Sequence, residues 1–191
     1  MIDPVLAELA RLNNAIPPEA DKWPTPCDDF DVIQLRRHLL GWLGYFDAAF
    51  TDPDGDQRPD PSAFTGPAVF EPVIQRLTSK IRSAASTGLA SSTVNVPLLG
   101  GAYPGHAVFD LLLVEVLGHG WDLARATGQT WQPDAETCEH ALTVLHGLIQ
   151  PEYRAPGMPF RPEVAVSAES PALDRLVAFT GRNPAWTPPA L

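Results

Sequence analysis

Two residues that can bind a metal ion lie four positions apart in a strongly apolar segment. Glu115 and His119 belong to the stretch FDLLLVEVLGHGWDLA, which has the apolar content of a buried helix. On a helix, side chains four positions apart leave the same face one turn apart. A carboxylate in such surroundings is costly to desolvate unless a cation meets it, and no Lys or Arg lies within one helical turn of Glu115. A divalent cation would supply the missing charge.

His38 is the third candidate ligand, on or beside the apolar stripe of another predicted helix. It lies between Leu35 and Trp42, which repeat at helical spacing with other apolar residues. Two histidines and one carboxylate leave coordination positions open, as in catalytic zinc sites, and the same set can bind iron or nickel. The alternative is that Glu115 and His119 form a surface pair, or that a histidine is hydrogen-bonded in the core. Spacing alone leaves both interpretations open.

Helices must bring these residues together, and the apolar periodicity of the chain predicts two that do so. The first runs from a cap at Asp29 or Asp31 to about Phe50 and places its apolar residues at steps of three and four. These residues are Val32, Leu35, Leu39, Trp42, Leu43 and Phe46. The second runs from about His106 to Thr127, where Gly128 ends it.

The rest of the chain predicts further helices joined by proline- and glycine-rich links, one of which contains LLGGAYPG. These helices cover residues 4–15 with Asp3 as N-cap, residues 68–85, residues 133–149 and residues 171–180. Val69, Val73, Leu77 and Ile81 are expected on one face of the helix at 68–85. The segment EVAVSA at 163–168 predicts a short strand. Residues 1–191 are therefore expected to form a single all-α, bundle-like domain.

Charge and composition exclude several classes of function. The net charge of -10 gives a surface that repels nucleic acid. No apolar stretch approaches the roughly 20 residues of a membrane-spanning helix, and the N-terminus has no basic segment ahead of an apolar one, as a secretory signal requires. The two cysteines form no CxxC pair, which argues against a disulfide scaffold. We therefore expect a cytoplasmic protein that binds neither nucleic acid nor membranes.

Other residues that can carry chemistry are assigned structural roles. Cys27 precedes a helix N-terminus, which can lower a thiol pKa, but packing is favoured because no base can be assigned to it. Asp122 has two open interpretations. It can accept a hydrogen bond from His119 and orient that ring, or it can pair with Arg125 on the same helix. His140 and His146 are expected at ordinary helix positions. His106 is expected as a polar residue at the start of its helix, and the alternative is a place at the edge of the pocket.

Three segments resemble the DinB-like family of metal-binding proteins related to the N-terminal part of mycothiol-dependent maleylpyruvate isomerase. They are WPTPCDDFDVIQLRRHLLGWL, LLLVEVLGHGWDLARATGQ and ESPALDRLVAFTGRNPAW, and the last is similar to the tail of an actinobacterial subgroup. The resemblance implies a DinB-like four-helix bundle with a short extra C-terminal segment. It also implies one divalent metal ion bound by His38, Glu115 and His119, and the chemistry of these ligands favours zinc over nickel or iron. Phe30 stands where the family usually has Trp, and the chain is expected to lack the extra C-terminal domain of the founding isomerase.

The resemblance also implies a chemistry. In the family, the ion binds the thiol of a low-molecular-weight cofactor such as mycothiol. A coordinated thiol is deprotonated, and the thiolate is the nucleophile. The chain is thus expected to be a metal-dependent thiol S-transferase or isomerase that acts on a small electrophile, and a homodimer is compatible with the resemblance. The alternative is a non-catalytic metal-holding binding or stress-response bundle.

Overall fold

The computed structural model describes residues 1–158 and 160–189, and these residues form six α-helices and one two-stranded sheet. The helices are α1 (Ile2–Asn14), α2 (Val32–Thr51), α3 (Glu71–Thr87), α4 (Gly105–Thr127), α5 (Ala135–Leu148) and α6 (Ala172–Phe179). The strands β1 (Thr93–Val96) and β2 (Gly101–Pro104) pair antiparallel between α3 and α4. The predominance of helix confirms the predicted all-α class.

Four helices surround the core and determine where the candidate ligands lie. α1 packs against α3 and α4, and α2 packs against the same two helices, so that the contacts close a ring. Fully buried leucines fill the centre, including Leu35 and Leu39 of the predicted stripe and Leu112 of α4. A single hydrophobic cluster continues from this centre to α5 and α6. In this arrangement α2 and α4 are direct neighbours.

The two helices that carry the candidate ligands begin and end for reasons visible in their sequences. The Gln34 N–H donates to the Asp31 carboxylate, and the Asp31 N–H donates to the Gln34 amide oxygen, both at 2.9 Å. This capping box satisfies donors that the first helical turn leaves free, and it confirms Asp31 as the cap. α4 ends at Gly128, whose φ of 68° is the left-handed conformation that glycine adopts at low cost.

Two expectations about local structure are wrong. Asp3 does not cap α1, because it lies inside the helix and accepts a hydrogen bond from Arg82 of α3 at 2.6 Å. The segment at 163–168 pairs with no strand in the described part of the chain. Its Val164 N–H donates instead to the Ala178 carbonyl oxygen of α6 at 3.0 Å. An alternating pattern makes a strand only where a partner edge is free to pair with it.

The region around α3 also departs from expectation. Val69 is exposed and precedes α3. The buried side is formed by the cap residue Phe70 with Ile74 and Leu77 of the helix, whereas Val73 and Ile81 are only half-buried. The link that contains LLGGAYPG forms the hairpin of β1 and β2, which was not predicted. Gly100 and Gly101, with φ of 98° and 137°, turn the chain between these strands.

The C-terminal segment packs on α5 and then returns to α4. α6 packs against α5, and the chain turns at Gly181, whose φ is 93°. A Cβ at Gly181 would lie 2.8 Å from the backbone of Arg161, so both the conformation and the space require glycine. This turn places Arg182 against α4, where it contacts Asp122. Among the residues described, no helix is both long and apolar enough to cross a bilayer.

Candidate metal centre

Three side chains converge where α2 meets α4: His38 of α2, and Glu115 and His119 of α4. The Nε2 atoms of His38 and His119 each lie 3.4 Å from Glu115 Oε1. The two imidazole rings are 5.1 Å apart between centroids. All three candidate ligand atoms lie within 4.8 Å of one another. The fold thus brings together the three residues singled out in the sequence.

The three side chains are partly accessible to solvent. The exposed fraction of the side chain is 11% for His119, 23% for Glu115 and 26% for His38. The ring of Phe30 packs against His38 with 4.7 Å between centroids and covers one face of it. Of the three side chains, His38 is thus the most exposed and His119 is held deepest in the bundle.

Glu115 Oε1 is buried and has no hydrogen-bond partner among the described residues. Its 3.4 Å distances to the two histidine nitrogens exceed the usual N–H···O range of about 2.7–3.2 Å. Burial raises the pKa of Glu115, but His119, His38 and Arg182 together outweigh that effect and hold the pKa below its usual value. A cation held between this buried oxygen and the two histidine nitrogens would supply the partner that Oε1 lacks among the described residues.

The spacing of the set fits a metal coordination sphere. Around a tetrahedral ion with bonds of about 2.1 Å, neighbouring ligand atoms lie about 3.4 Å apart. Both measured nitrogen–oxygen distances have this value. Two imidazole nitrogens and one carboxylate oxygen suit zinc, iron or nickel, and a three-residue set leaves at least one position for a further ligand. The residues present therefore fit a divalent metal ion.

Asp122 determines which nitrogen of His119 faces the set. His119 Nδ1 lies 3.0 Å from Asp122 Oδ2. Burial raises the pKa of Asp122, but Arg182 and the hydrogen bond from His119 hold it below its usual value. Because an ionised carboxylate only accepts hydrogen bonds, Nδ1 donates to Asp122, and Nε2 is the nitrogen that faces Glu115. Arg125, the other partner considered, donates to the Pro184 carbonyl oxygen instead, so the structure decides between the two interpretations.

Arg182 is a residue of this centre that the sequence analysis missed. Its Nε donates to Asp122 Oδ1 and its Nη2 donates to Asp122 Oδ2, both at 2.8 Å. Its Nη1 donates to Thr180 Oγ1 at 2.9 Å. Arg182 follows Asp122 by 60 positions, and helical periodicity says nothing about contacts over that separation. The one feature of the sequence that could have drawn attention to Arg182 is its position in GRNPAW, within the C-terminal segment that resembles the family.

Cys27 lies close to His119 and Asp122, and the candidate ligand atoms of these three residues also lie within 4.8 Å of one another. Asp122 in that cluster is already paired with Arg182. Burial and the charge of Asp122 raise the pKa of Cys27 to about 11, so that the thiol is protonated at neutral pH. These properties agree with the packing role that the sequence favoured for Cys27.

The other histidines lie outside the centre, as expected. His140 Nε2 contacts Asp110 Oδ1 at 2.7 Å. His106 Nδ1 lies 3.2 Å from the Ala90 carbonyl oxygen, at the first turn of α4. His146 packs against an aromatic ring of α6. Each has a local partner that accounts for its position.

Two proteins of Mycobacterium tuberculosis, from different strains, are similar to this chain: Uncharacterized protein MT0763 and Uncharacterized protein Rv0738. Each is 34% identical to it over 163 residues, which cover 84% of this chain and 84% of the relative. No protein-family profile matches the chain, and no solved structure matches it. The similarity to the two relatives thus extends over most of both chains and is not confined to a short motif.

Proposed function

The chain belongs to the same protein family as these two mycobacterial proteins, and we propose that it is a metal-dependent enzyme that activates a low-molecular-weight thiol. The thiol is mycothiol or a similar molecule, and its activation serves either transfer to a small electrophile or isomerisation of that electrophile. The observation that supports this proposal is the position of Glu115 Oε1. This atom is buried, has no hydrogen-bond partner within the described part of the chain, and lies 3.4 Å from two histidine nitrogens.

The bundle belongs, in this proposal, to the DinB-like type. Support comes from the closed ring of four helices, from ligands contributed by α2 and α4, and from a C-terminal segment that extends the bundle. The proposed location is the cytoplasm, where thiols stay reduced. The free thiols of Cys27 and Cys138 are compatible with that compartment.

The ligand set accounts for how a thiol would be activated. His38, Glu115 and His119 would hold a divalent ion, which would supply the Lewis acidity that favours a thiolate over a thiol. Glu115 offsets one unit of the ion's charge and neutral histidines offset none, so the set leaves a net charge of about +1. Asp122 keeps Nε2 of His119 directed towards the set, and Phe30 shields one face of His38. A small thiol would reach the set from the side of His38, the most exposed of the three side chains.

Metal analysis of the purified protein tests the ligand assignment. We expect about one zinc-class ion per chain, and we expect His38→Ala and His119→Ala to lose it. His140→Ala is the matched control, because His140 also contacts a carboxylate of α4 but lies outside the centre. Full metal occupancy in both site variants would show that these histidines are not ligands.

Thiol addition to the cobalt-substituted protein tests the chemistry. We expect a thiolate-to-cobalt charge-transfer band, and turnover of an aromatic electrophile such as chlorodinitrobenzene, and neither should occur with His119→Ala. The double variant Cys27→Ser, Cys138→Ser should behave as the wild type, which excludes the protein's own thiols as the source of the band. Absence of the band would contradict thiol activation. A band without turnover of any electrophile would favour the non-catalytic binding bundle.

A further inference from the structure

Two side chains outside the ligand set hold His119 from the side opposite Glu115. Asp122 Oδ2 accepts the Nδ1–H of His119 at 3.0 Å, and both Asp122 oxygens accept from Arg182 at 2.8 Å. The Asp122 side chain is fully buried, and that of Arg182 is 16% exposed. A continuous path of charged hydrogen bonds therefore links the C-terminal segment to the ligand set.

Arg182 changes what Asp122 can do. Without it, Asp122 would be a buried anion near His119 and Cys27, and the candidate ligand atoms of these three residues are close enough to bind a cation themselves. The guanidinium neutralises the carboxylate and fixes its plane through two parallel hydrogen bonds. Asp122 then remains available as an acceptor for Nδ1 of His119.

We propose that Asp122 and Arg182 form a positioning pair for the metal centre. Asp122 holds His119 with Nε2 directed towards Glu115. Arg182 neutralises the charge of Asp122, so that Asp122 accepts the hydrogen bond from His119. The metal ion is then not drawn to the cluster that Asp122 and His119 form with Cys27. The inference rests on the proposed function for the existence of the metal site. It makes the C-terminal segment, through Arg182, a part of that centre.

Metal affinity tests the pair in the full-length protein. Zinc and cobalt affinities, measured by competition with a chelator, should fall about 10–100-fold in Asp122→Asn and Arg182→Gln. Asp110→Asn is a matched control, since this carboxylate of α4 also contacts a histidine. Arg175→Gln is the second control, since this arginine of α6 pairs with Glu139. Both controls should keep the wild-type affinity.

The absorption spectrum of bound cobalt gives a readout that loss of packing alone would not change, because it reports the geometry of the ligands. We expect it to change in Asp122→Asn and Arg182→Gln and to stay unchanged in the two controls. Arg182→Gln leaves Asp122 as an unpaired buried anion, which can prevent folding. The double variant Asp122→Asn, Arg182→Gln removes both charges and avoids that cost.

The double variant also tests whether Arg182 acts through Asp122. If it does, the double variant should bind zinc no more weakly than Asp122→Asn alone. Additive losses would overturn the positioning pair, and so would wild-type zinc affinity with an unchanged cobalt spectrum in Asp122→Asn. A wild-type protein that bound neither zinc nor cobalt would overturn the proposed function itself, and this inference with it. The two failures are therefore distinguishable.

Discussion

At the scale of single residues, Glu115 supplies both a ligand atom and a charge, and Glu115→Gln separates the two. Glutamine keeps the size and one oxygen donor but removes the negative charge, so zinc affinity should fall substantially. When zinc is forced into the variant at high concentration, the net charge of the centre rises from about +1 to about +2. The pKa of a thiol at the centre should then fall further, and the pH–rate profile should shift towards acid.

Chelator competition measures the affinity, and turnover with a mycothiol-like thiol measures the pH profile. Glu136→Gln serves as the control, because Glu136 is exposed in the first turn of α5. Unchanged zinc affinity in Glu115→Gln would mean that Glu115 is not a ligand. An alkaline shift would mean that it acts as a general base.

The three candidate ligands could be singled out from the sequence because helical spacing, apolar surroundings and a family resemblance all pointed to them. The partner of Asp122 could not, because a spacing of three residues places both His119 and Arg125 within reach. Arg182 could not either. Its contact with α4 depends on the turn at Gly181, and nothing local in the sequence says against which helix that turn will pack.

At the scale of elements, two glycines of α2 test how tightly the helix packs. A Cβ at Gly41 would lie 2.1 Å from the Pro61 carbonyl oxygen, whereas a Cβ at Gly44 would meet no described atom within 4 Å. Gly41→Ala should therefore destabilise the protein by about 1–3 kcal/mol or more, because the backbone at Pro61 must move. Gly44→Ala should stabilise it by about 0.5–1 kcal/mol, because alanine favours helix.

Urea unfolding of both glycine variants beside the wild type measures the two effects. The opposite signs are the test, since the same substitution is made three residues apart on one helix. Equal stability of the two variants would contradict the close approach of Pro61 to α2.

The N-terminal cap of α5 makes a pH-dependent contribution to the stability of the folded protein. Asp134 accepts hydrogen bonds from the Thr137 N–H at 2.7 Å and from its hydroxyl at 2.8 Å, and these bonds hold the pKa of Asp134 below its usual value. Asp134→Ala should cost about 1 kcal/mol at neutral pH. Because the pKa is lowered in the folded state, this contribution is present above the unfolded pKa of about 3.9 and is lost as the pH falls below it.

Thermal unfolding of the wild type and Asp134→Ala between neutral pH and acid pH checks the sign. The difference in stability should narrow below about pH 4. The neighbouring variant Glu136→Gln should show no such cost. If the difference in stability between the wild type and Asp134→Ala grew towards acid pH, Asp134 would not stabilise α5 as an ionised cap.

Long helices could be predicted and short strands could not. α4 has 23 residues and α5 has 14, which is enough for apolar residues to repeat over several turns. β1 and β2 have four residues each, and their pairing depends on the turn at Gly100 and Gly101. The segment at 163–168 has the alternation of a strand, but its neighbour is α6, so it bonds to a helix carbonyl instead.

At the scale of the whole molecule, the candidate ligands join two parts of the chain that are far apart in sequence. His38 belongs to α2 and His119 to α4, with α3 and the hairpin between them. The unfolded chain has no such arrangement of ligands. An ion bound by the set would therefore stabilise the folded state over the unfolded state, by an amount that grows with the logarithm of its concentration relative to its dissociation constant.

Zinc should consequently raise the melting temperature of the metal-free protein. At a free concentration of 100 dissociation constants the gain is about 2.7 kcal/mol, which corresponds to roughly 5–10 °C for a domain of this size. His119→Ala should lose the zinc-dependent shift, because it removes the ligand that Asp122 holds in place. His140→Ala should keep it, because His140 contacts Asp110 outside the set. Differential scanning calorimetry with and without zinc measures both, and an equal shift in the two variants would place the bound zinc elsewhere on the protein.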